Sequence, residues 1–297
     1  MPSLMARLIG GLLRTTGTLR KRYSDGPDFE ARIAQSRINP QLPTLKMQAA
    51  LDIALEEFEG RDIWRIAPKE STPTAHMLYF HGGGYVYPPV DVHWKFYAHL
   101  ASKYGLAITA PLYPLAPESD AQATTDWAMR AYRHFIERHD GAFILGGDSA
   151  GGGLAAVVGQ TVRDGGLRQP SAIILICPWL DVSVSHPDQP AIEPRDCVLT
   201  INGARSAGRR YAAALPPNNP RVSPLHGNWD GLPPILCFGG GDDILLPDAR
   251  ALKAKVPGAT YVERAGLMHD WPIFFLRESR DAQAQIAQFA VAQSATG

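Results

Sequence analysis

The residues best suited to chemistry lie in the stretch Gly-Asp-Ser-Ala-Gly at 147–151, with Ser149 at its centre. An apolar run at 142–147 precedes this stretch, and a segment with helical spacing follows at 154–163. A chain that turns sharply from a strand into a helix exposes a serine hydroxyl above the sheet, and glycines permit the tight turn. The helix N-terminus also stabilises negative charge nearby. The pattern therefore predicts that Ser149 is a nucleophile.

The same glycines have two other interpretations, which are a strand-to-helix turn without chemistry and a loop that holds a phosphate group. Phosphate binding is disfavoured because the chain carries neither the phosphate-loop pattern Gly-x-x-x-x-Gly-Lys-Ser/Thr nor the dinucleotide fingerprint. A turn without chemistry is disfavoured by a second glycine-rich motif that occurs earlier in the chain.

That second motif is His81 followed by glycines at 82–84, directly after a short apolar run. Glycine leaves backbone N–H groups uncovered, so that they can approach a substrate closely. Acyl transfer passes through a tetrahedral oxyanion that needs two or three such donors. We expect Gly83, Gly84 and Ala150 to form this oxyanion hole, with a plain turn as the alternative for the glycines. His81 is interpreted as a structural residue that fixes the loop.

A serine nucleophile needs a base, and the base needs an orienting carboxylate. In an α/β architecture the chain order is nucleophile, then acid, then base. His269 lies after the last predicted strand and just before the final helix, where the base is expected. His186 and His226 lie in proline-rich sequence and are interpreted as surface histidines. We therefore predict that His269 is the base.

The acid is expected just after the penultimate strand, where the chain reads Gly-Gly-Gly-Asp-Asp at 239–243. Adjacent side chains in such a turn point in different directions, so only one of the two carboxylates can face His269. We favour Asp242 as the acid, and Asp243 is the alternative. Asp248 fits better in the first turn of a helix, where the dipole favours an acid. Capping and turn formation is the alternative for all three carboxylates.

Short apolar strands alternate with helices along the chain. Strands are predicted at 58–67, 75–80, 106–113, 142–147, 172–177, 235–238 and 260–263. Helices are predicted at 94–104, 124–138, 154–163, 248–254 and 273–291. This alternation is typical of a doubly wound α/β domain, in which helices cover both faces of a mostly parallel sheet. The proline-rich interval 181–233, with a helical patch at 202–215, is predicted to cap the carboxyl edge of that sheet.

The composition is that of a globular protein, with 45% of the 297 residues hydrophobic and 20% charged. Lys plus Arg and Asp plus Glu are equal at 29 each, which argues against nucleic acid or an anionic membrane as the main partner. The three cysteines, Cys177, Cys197 and Cys237, lack the paired spacing of a disulfide framework or a zinc cluster. We therefore expect a reducing, cytoplasmic setting.

Residues 1–22 contain five basic residues and no acidic one, around apolar side chains at helical spacing. Arg7, Gly10 and Arg14 interrupt the apolar core that a secretory signal needs. No stretch approaches the roughly 18 apolar residues of a spanning helix, so stable membrane insertion is not expected. We expect a helix that packs on its own protein, with reversible contact to a membrane surface as the alternative.

Taken together, these motifs resemble the hormone-sensitive-lipase family of α/β-hydrolases, especially its small bacterial esterases, over residues from about 75 to 275. The resemblance rests on His81-Gly-Gly-Gly-Tyr85, Tyr113-Pro-Leu-Ala-Pro-Glu118, Gly147-Asp-Ser-Ala-Gly-Gly152, Val222-Ser-Pro-Leu225, Gly231-Leu-Pro-Pro234, and Asp242 followed by Leu245. Two departures occur. Pro114 replaces the usual arginine, as in the acetylhydrolase and ε-lactone-hydrolase branch, and Asp243 stands where many relatives carry glutamate.

The resemblance implies an α/β-hydrolase fold with a small helical cap and a triad of Ser149, Asp242 and His269, with no metal or cofactor. It divides the chain into an N-terminal cap segment at 1–45, a catalytic core at 46–180 and 234–297, and a cap insertion at 181–233. It also implies that the basic N-terminal helix lies over the active site. Relatives often dimerise, which makes a homodimer a candidate assembly.

The expected activity is hydrolysis of short-chain carboxylic esters through an acyl-enzyme, with lactones or acetylated small molecules as further substrates. The expected partner is therefore a small-molecule ester. Tyr85, Tyr87 and Trp179 are expected to line the substrate pocket. Two alternatives remain. One is a binding-only receptor, like the gibberellin receptors that resemble the same family but lose the histidine, and the other is an acyltransferase with the same triad.

Overall fold

The computed structural model describes residues 2–295, and its centre is one sheet. Within those residues eight strands occur, which are β1 (Asp52–Phe58), β2 (Arg61–Ala67), β3 (Ala75–Phe80), β4 (Leu106–Pro111), β5 (Phe143–Asp148), β6 (Ala172–Ile176), β7 (Ile235–Asp242) and β8 (Thr260–Met268). Their order across the sheet is β1-β2-β4-β3-β5-β6-β7-β8. The β1–β2 and β2–β4 pairs are antiparallel and the other neighbours are parallel. The predicted mostly parallel sheet is therefore confirmed.

Helices cover both faces of this sheet, and others form the cover above it that is described below. They are α1 (Leu4–Thr16), α2 (Thr18–Arg22), α3 (Phe29–Ile38), α4 (Leu45–Ala50), α5 (Asp91–Tyr104), α6 (Ala121–Arg138), α7 (Ser149–Asp164), α8 (Gln189–Ile192), α9 (Ile201–Ala212), α10 (Leu246–Lys255) and α11 (Arg277–Ser294). Short 3-10 turns occur at Pro224–His226 and Trp271–Ile273. Helix α6 packs beside α7, α5 packs beside α11, and both α7 and α11 contact β5 and β6. The central strands are consequently buried on both faces, which explains their unbroken apolar sequences.

Several element boundaries differ from the predicted ones, and two of these differences have a clear physical reason. The single strand predicted at 58–67 is a hairpin of β1 and β2, with Glu59 and Gly60 at positive φ in the turn. Strand β1 was not predicted because most of its residues are exposed, so its sequence lacks the apolar run of a buried strand. The last helix begins at Arg277 and not at 273, because the chain first makes the Trp271–Ile273 turn.

The N-terminal segment and the 181–233 interval form a joint cover above the sheet. Arg20 Nη1 donates to the carbonyl oxygen of Glu193 at 2.7 Å, and Ser206 Oγ donates to Asp25 Oδ1 at 2.8 Å. Gly203 of α9 packs so closely on the backbone after α2 that a Cβ there would overlap the carbonyl oxygen of Tyr23. These contacts hold the two segments together across a large separation in sequence.

Helix α1 lies against the edge strand β8. Ala6 and Gly10 are its buried residues, and Arg14 approaches Asp242 to within 3.7 Å. Among residues 2–295, no helix combines the length and the apolar character that a bilayer crossing requires. The three cysteines are free thiols and are buried.

The Gly203 contact predicts that Gly203→Ala destabilises the protein. Alanine favours a helix interior by about 1 kcal/mol over glycine, but its Cβ would overlap backbone that cannot move without separating α9 from the N-terminal segment. Because overpacking of this kind costs about 1–3 kcal/mol, we expect a net loss in the free energy of unfolding, measured by urea denaturation. The exposed neighbour Asn202 provides the control, since Asn202→Ala meets no such contact. Equal stability of the two variants would contradict the prediction.

Candidate active site

Ser149 occupies the sharp turn between β5 and α7. Its φ is 52°, in the left-handed region that side chains other than glycine rarely adopt. A Cβ at Gly147 would overlap the carbonyl oxygen of Gly151, and a Cβ at Gly151 would overlap that of Phe80. The flanking glycines are therefore required by close backbone packing on both sides of the turn, and the turn raises the Ser149 hydroxyl to the carboxyl edge of the sheet.

His269 links this serine to a buried carboxylate. Ser149 Oγ lies 2.9 Å from His269 Nε2, and His269 Nδ1 lies 2.9 Å from Asp243 Oδ2. A carboxylate can only accept, so the Nδ1–H donates to Asp243 and leaves Nε2 free to accept the serine proton. All three side chains are buried. The arrangement has the geometry of a nucleophile, a base and an orienting acid.

The acid in this arrangement is Asp243, so the predicted choice of Asp242 was wrong. Asp242 is the last residue of β7 and follows a register shift against β8 that begins at Gly240. Its carboxylate faces outward, 3.1 Å from Arg195 Nε and 3.7 Å from Arg14 Nη1. The expectation that only one of the two adjacent carboxylates can face the histidine was right, and Asp243 is the one that does.

Two further carboxylates hold loops at the carboxyl edge of the sheet, and one of these loops carries Asp243. Asp196, within the 181–233 interval, accepts a hydrogen bond from the backbone N–H of Ile244 at 2.9 Å, and burial raises the pKa of Asp196 to about 7. Asp248 lies in the first turn of α10, as predicted, and accepts from the backbone N–H groups of Leu180 and Asp181. The cover and the acid loop are thereby connected by hydrogen bonds.

Asp148, inside the nucleophile motif, has partners of its own. Tyr79 Oη donates to Asp148 Oδ1 at 2.9 Å, and His93 Nε2 lies 3.1 Å from Asp148 Oδ2. Burial alone would raise the pKa of Asp148, but the charge and hydrogen bond of His93 outweigh it and lower that pKa. Sequence analysis did not find this pair, although the position of Asp148 beside the serine was the available signal. The pair supports the turn from below.

The glycine loop after β3 lies beside Ser149, as predicted. Gly83 and Gly84 line the same cavity as the serine, and both have positive φ, at 124° and 64°. The carbonyl oxygen of Gly83 accepts from the backbone N–H of Tyr87 at 2.9 Å, which turns the loop back on itself. Ala150 is the second residue of α7, so its N–H belongs to the first turn and has no acceptor within the helix. Donors are therefore available on two sides of the hydroxyl.

His81 supports this loop from beneath. Its ring stacks on Tyr113 with centroids 4.4 Å apart, and the Tyr113 hydroxyl donates to the His81 carbonyl oxygen at 2.7 Å. Burial lowers the pKa of His81 to about 4, so the ring is neutral at physiological pH. These contacts agree with the structural role that was predicted for it.

A cavity of about 310 Å³ opens above Ser149 and His269. Trp179 lines it, as expected, but Tyr85 and Tyr87 do not. Tyr85 has a φ of 63° and stacks face to face on Tyr211 with centroids 3.6 Å apart, inside the core. Tyr87 points the other way, and its hydroxyl donates to the carbonyl oxygen of Arg22 at 2.8 Å. The expectation for these two tyrosines was wrong, because the positive φ in the loop redirects the chain.

The N-terminal segment reaches this cavity through α2 and the residues after it. Leu19, Arg22, Tyr23 and Phe29 line the cavity, whereas α1 contributes none of its lining residues within 2–295. The basic helix α1 was expected over the site, and it lies instead against β8. The cavity wall is otherwise largely apolar, with Val198, Leu199, Ala204 and Ala207 from the 181–233 interval.

Asp270 is a site residue that sequence analysis missed, although it directly follows the predicted base. Its Oδ2 lies 3.1 Å from His269 Nε2, and its backbone has a φ of 55°. Burial opposes a charge on His269, but the Asp243 and Asp270 carboxylates outweigh that effect and raise the pKa of His269 well above its ordinary value. Both carboxylates therefore favour the protonated form of the imidazole.

The chain is similar to several known proteins. A model of the alpha/beta hydrolase fold family matches residues 77–272. An acetyl-hydrolase from Streptomyces hygroscopicus is 36% identical over 202 residues, which is 66% of this chain and 67% of that protein. An esterase from Acinetobacter venetianus is 27% identical over 263 residues, which is 86% of this chain and 84% of that protein. The crystal structure of an esterase from the bacterial hormone-sensitive lipase family superposes with a TM-score of 0.84 at 26% identity, covering 99% of both chains.

The contact between His269 and Asp243 predicts a change in histidine titration. In Asp243→Asn the carboxylate at 2.9 Å from Nδ1 is lost, so we expect the pKa of His269 to fall by about 1–3 units. The measurement is a pH titration of the imidazole signals by NMR, with His269→Ala to assign the resonance. Asp242→Asn is the matched control and should leave the titration in place, because that carboxylate faces two arginines. A larger fall in Asp242→Asn than in Asp243→Asn would refute the assignment.

Proposed function

This chain belongs to the alpha/beta hydrolase fold family, among the bacterial hormone-sensitive-lipase-like esterases, and we propose that it hydrolyses short-chain carboxylic esters with Ser149 as its nucleophile. The class of reaction is hydrolysis of carboxylic esters, which the family and its esterase relatives share. One observation carries the proposed mechanism. It is the continuous set of contacts from Ser149 Oγ through His269 to Asp243, each 2.9 Å long.

In the first half of the reaction, His269 Nε2 takes the proton from Ser149 as the oxygen attacks the ester carbonyl. The oxyanion that forms accepts hydrogen bonds from the N–H groups of Gly83, Gly84 and Ala150, each of which contributes about 2.7–4 kcal/mol in comparable enzymes. The proton on His269 then passes to the leaving alcohol, and an acyl-enzyme remains.

In the second half, water replaces the alcohol. His269 takes a proton from the water, the hydroxide attacks the acyl carbonyl, and the proton returns to Ser149 as the acid leaves. Asp243 holds the imidazole by its Nδ1–H and stabilises the positive charge that develops on the ring. The base, the acid and the oxyanion donors in these reaction steps are all supplied by this chain.

The cavity supports a small acyl group. Its volume of about 310 Å³ lies at the lower end of the range for ligand pockets, roughly 300–1,000 Å³. Its walls are mainly apolar, which suits an alkyl chain, and Trp179 closes one side. The similarity to a protein named acetyl-hydrolase makes esters of acetic acid the first candidates. We propose acetylated or butyrylated small molecules as the substrate class.

A binding-only receptor of the same fold is disfavoured by the site. Such a receptor has no need for a base, whereas here His269 contacts the hydroxyl and carries a buried carboxylate behind it. The acyltransferase alternative uses the same triad and differs only in the acceptor, which would be an alcohol in place of water.

Ser149→Ala tests the nucleophile. We expect the variant to fold normally and to lose hydrolysis of p-nitrophenyl acetate and butyrate by at least about 1,000-fold, because the attacking oxygen is removed. Reaction with a fluorophosphonate probe should disappear as well, measured by intact-protein mass. Ser102→Ala, at an exposed serine on α5, is the matched control and should keep both activities. Full hydrolytic activity in Ser149→Ala would refute the proposal that Ser149 is the nucleophile.

Ala204 tests the location of the acyl chain. It lies on α9 and lines the cavity, so Ala204→Leu should fill part of the space above the serine. We expect kcat/KM for p-nitrophenyl butyrate to fall by about ten-fold relative to acetate, which corresponds to about 1.4 kcal/mol in the transition state. Ala214→Leu changes an exposed alanine and should leave the acetate-to-butyrate ratio as in the wild type. An unchanged ratio in Ala204→Leu would place the acyl chain elsewhere.

A further inference from the structure

Two groups compete for the same nitrogen of the base. His269 Nε2 lies 2.9 Å from Ser149 Oγ and 3.1 Å from Asp270 Oδ2. In the proposed reaction Nε2 must accept the serine proton, so it must carry a free lone pair. A carboxylate oxygen also has only lone pairs to offer. A neutral imidazole with an unprotonated Nε2 and an ionised Asp270 would therefore repel each other at this distance.

The contact becomes favourable only when the pair carries one further proton. Either Asp270 is protonated and neutral, or the imidazole is protonated and attracts the carboxylate. Both forms carry one more proton than the state in which Nε2 can accept from Ser149. Strongly interacting groups of this kind titrate as a pair, with apparent pKa values that belong to the pair.

The surroundings keep this proton in place. Asp270 is 9% exposed, and its second oxygen, Oδ1, has no hydrogen-bond partner among the residues that the structure describes. An ionised carboxylate with an empty acceptor site is costly in a buried place. Six other titratable groups lie near enough to interact electrostatically with Asp270. They are Tyr23 after α2, Tyr79 on β3, His93 on α5, Asp148 at the end of β5, Cys177 after β6 and Asp243 after β7.

Most of these neighbours are neutral or acidic, and the two carboxylates among them disfavour a second negative charge. Arg22 and Asp91 line the same cavity with opposite charges. Burial and the nearby Asp148 carboxylate raise the pKa of Asp270 to about 7, against the lowering effect of His269. The electrostatics therefore agree with the geometry.

We propose that Asp270 is an additional acid of the catalytic site, which shares a proton with His269 Nε2 and sets the lower pH limit of the reaction. This inference rests on the proposed function of His269 as the base. The resting site holds the shared proton, which leaves to solvent through the cavity as the pH rises. Ser149 then donates its own proton to the vacated Nε2 as its oxygen attacks. The number of protons balances, because the His269–Asp270 pair releases one proton to solvent and Ser149 transfers one proton to Nε2.

The test is the pH dependence of kcat/KM for p-nitrophenyl acetate in Asp270→Asn. Asparagine tolerates the positive φ of this position and cannot hold a titratable proton. We expect the acidic limb of the profile to move to lower pH by about 1–2 units, because loss of an adjacent carboxylate lowers the pKa of an imidazole. At a pH on the wild-type acidic limb, the variant should therefore be about ten-fold or more faster.

Asp270→Gly is the second variant, since glycine also adopts positive φ and removes the side chain entirely. Asp242→Asn is the matched control, because it removes a carboxylate from the same edge of the sheet that does not face His269. Its profile should coincide with that of the wild type. The rate of fluorophosphonate labelling against pH gives a second readout that does not depend on the leaving alcohol.

The proposal is supported if both Asp270 variants shift the acidic limb and the control does not. It is overturned if folded Asp270→Asn and Asp270→Gly keep the wild-type limb, or if they lose activity at every pH. The wild type separates this inference from the one it rests on. If the wild type hydrolyses the ester and Ser149→Ala does not, an unshifted limb refutes the role of Asp270 alone.

Discussion

The strained turn at Ser149 is the constraint on which the rest of the site depends. A non-glycine residue at a φ of 52° costs on the order of 1–3 kcal/mol and persists only where the surroundings determine it fully. Here β5 and α7 hold its two ends, and Gly151 lies against the carbonyl oxygen of Phe80 at the end of β3. The serine and the glycine loop that follows β3 are therefore positioned by one packed contact, so the proposed nucleophile and the proposed oxyanion donors are held together.

The other two members of the triad follow from the direction of the strands. Parallel strands end at the same edge of a sheet, so residues after β7 and β8 meet residues after β5 without a long loop. Asp196 accepts a hydrogen bond from the backbone N–H of Ile244 in the loop after β7, and Asp248 accepts from the backbone N–H groups of Leu180 and Asp181 after β6. These contacts connect the loop that carries Asp243 to the cover, and the imidazole meets the hydroxyl and the carboxylate at 2.9 Å each.

Local patterns in the sequence predicted those parts of the site that local geometry determines. Ser149 and Gly83 lie in motifs whose backbone shape follows from their glycines, and His269 follows from chain order. The choice between Asp242 and Asp243 failed because it depends on a register shift in β7, which no neighbouring residue signals. A shift by one residue exchanges the two faces of a strand.

Two of the remaining misses, those for Tyr85 and for helix α1, have the same physical origin, which is that the decisive contacts lie far away in the chain. The positive φ at Tyr85 directs its ring into the core, where the ring stacks on Tyr211. No spacing rule in the sequence links these two residues. Helix α1 has the basic, amphipathic pattern that led to its expected place over the site. It packs on β8 instead, and α2 is the helix that lines the cavity. Asp270 matters through its 3.1 Å distance to Nε2, and in the sequence it is simply one more acid beside a histidine.

Ser149 and His269 are separated by 120 residues in the chain, and Arg20 and Glu193 by 173. Contacts of such long range form late in folding, and synthesis proceeds from the N-terminus. While the chain emerges from the ribosome, the serine is present long before its base. Ser149 therefore meets His269 only after the last strands have joined the sheet, so the proposed nucleophile lacks its base while the preceding chain is made. Strand order thus delays assembly of the proposed site until the sheet is complete.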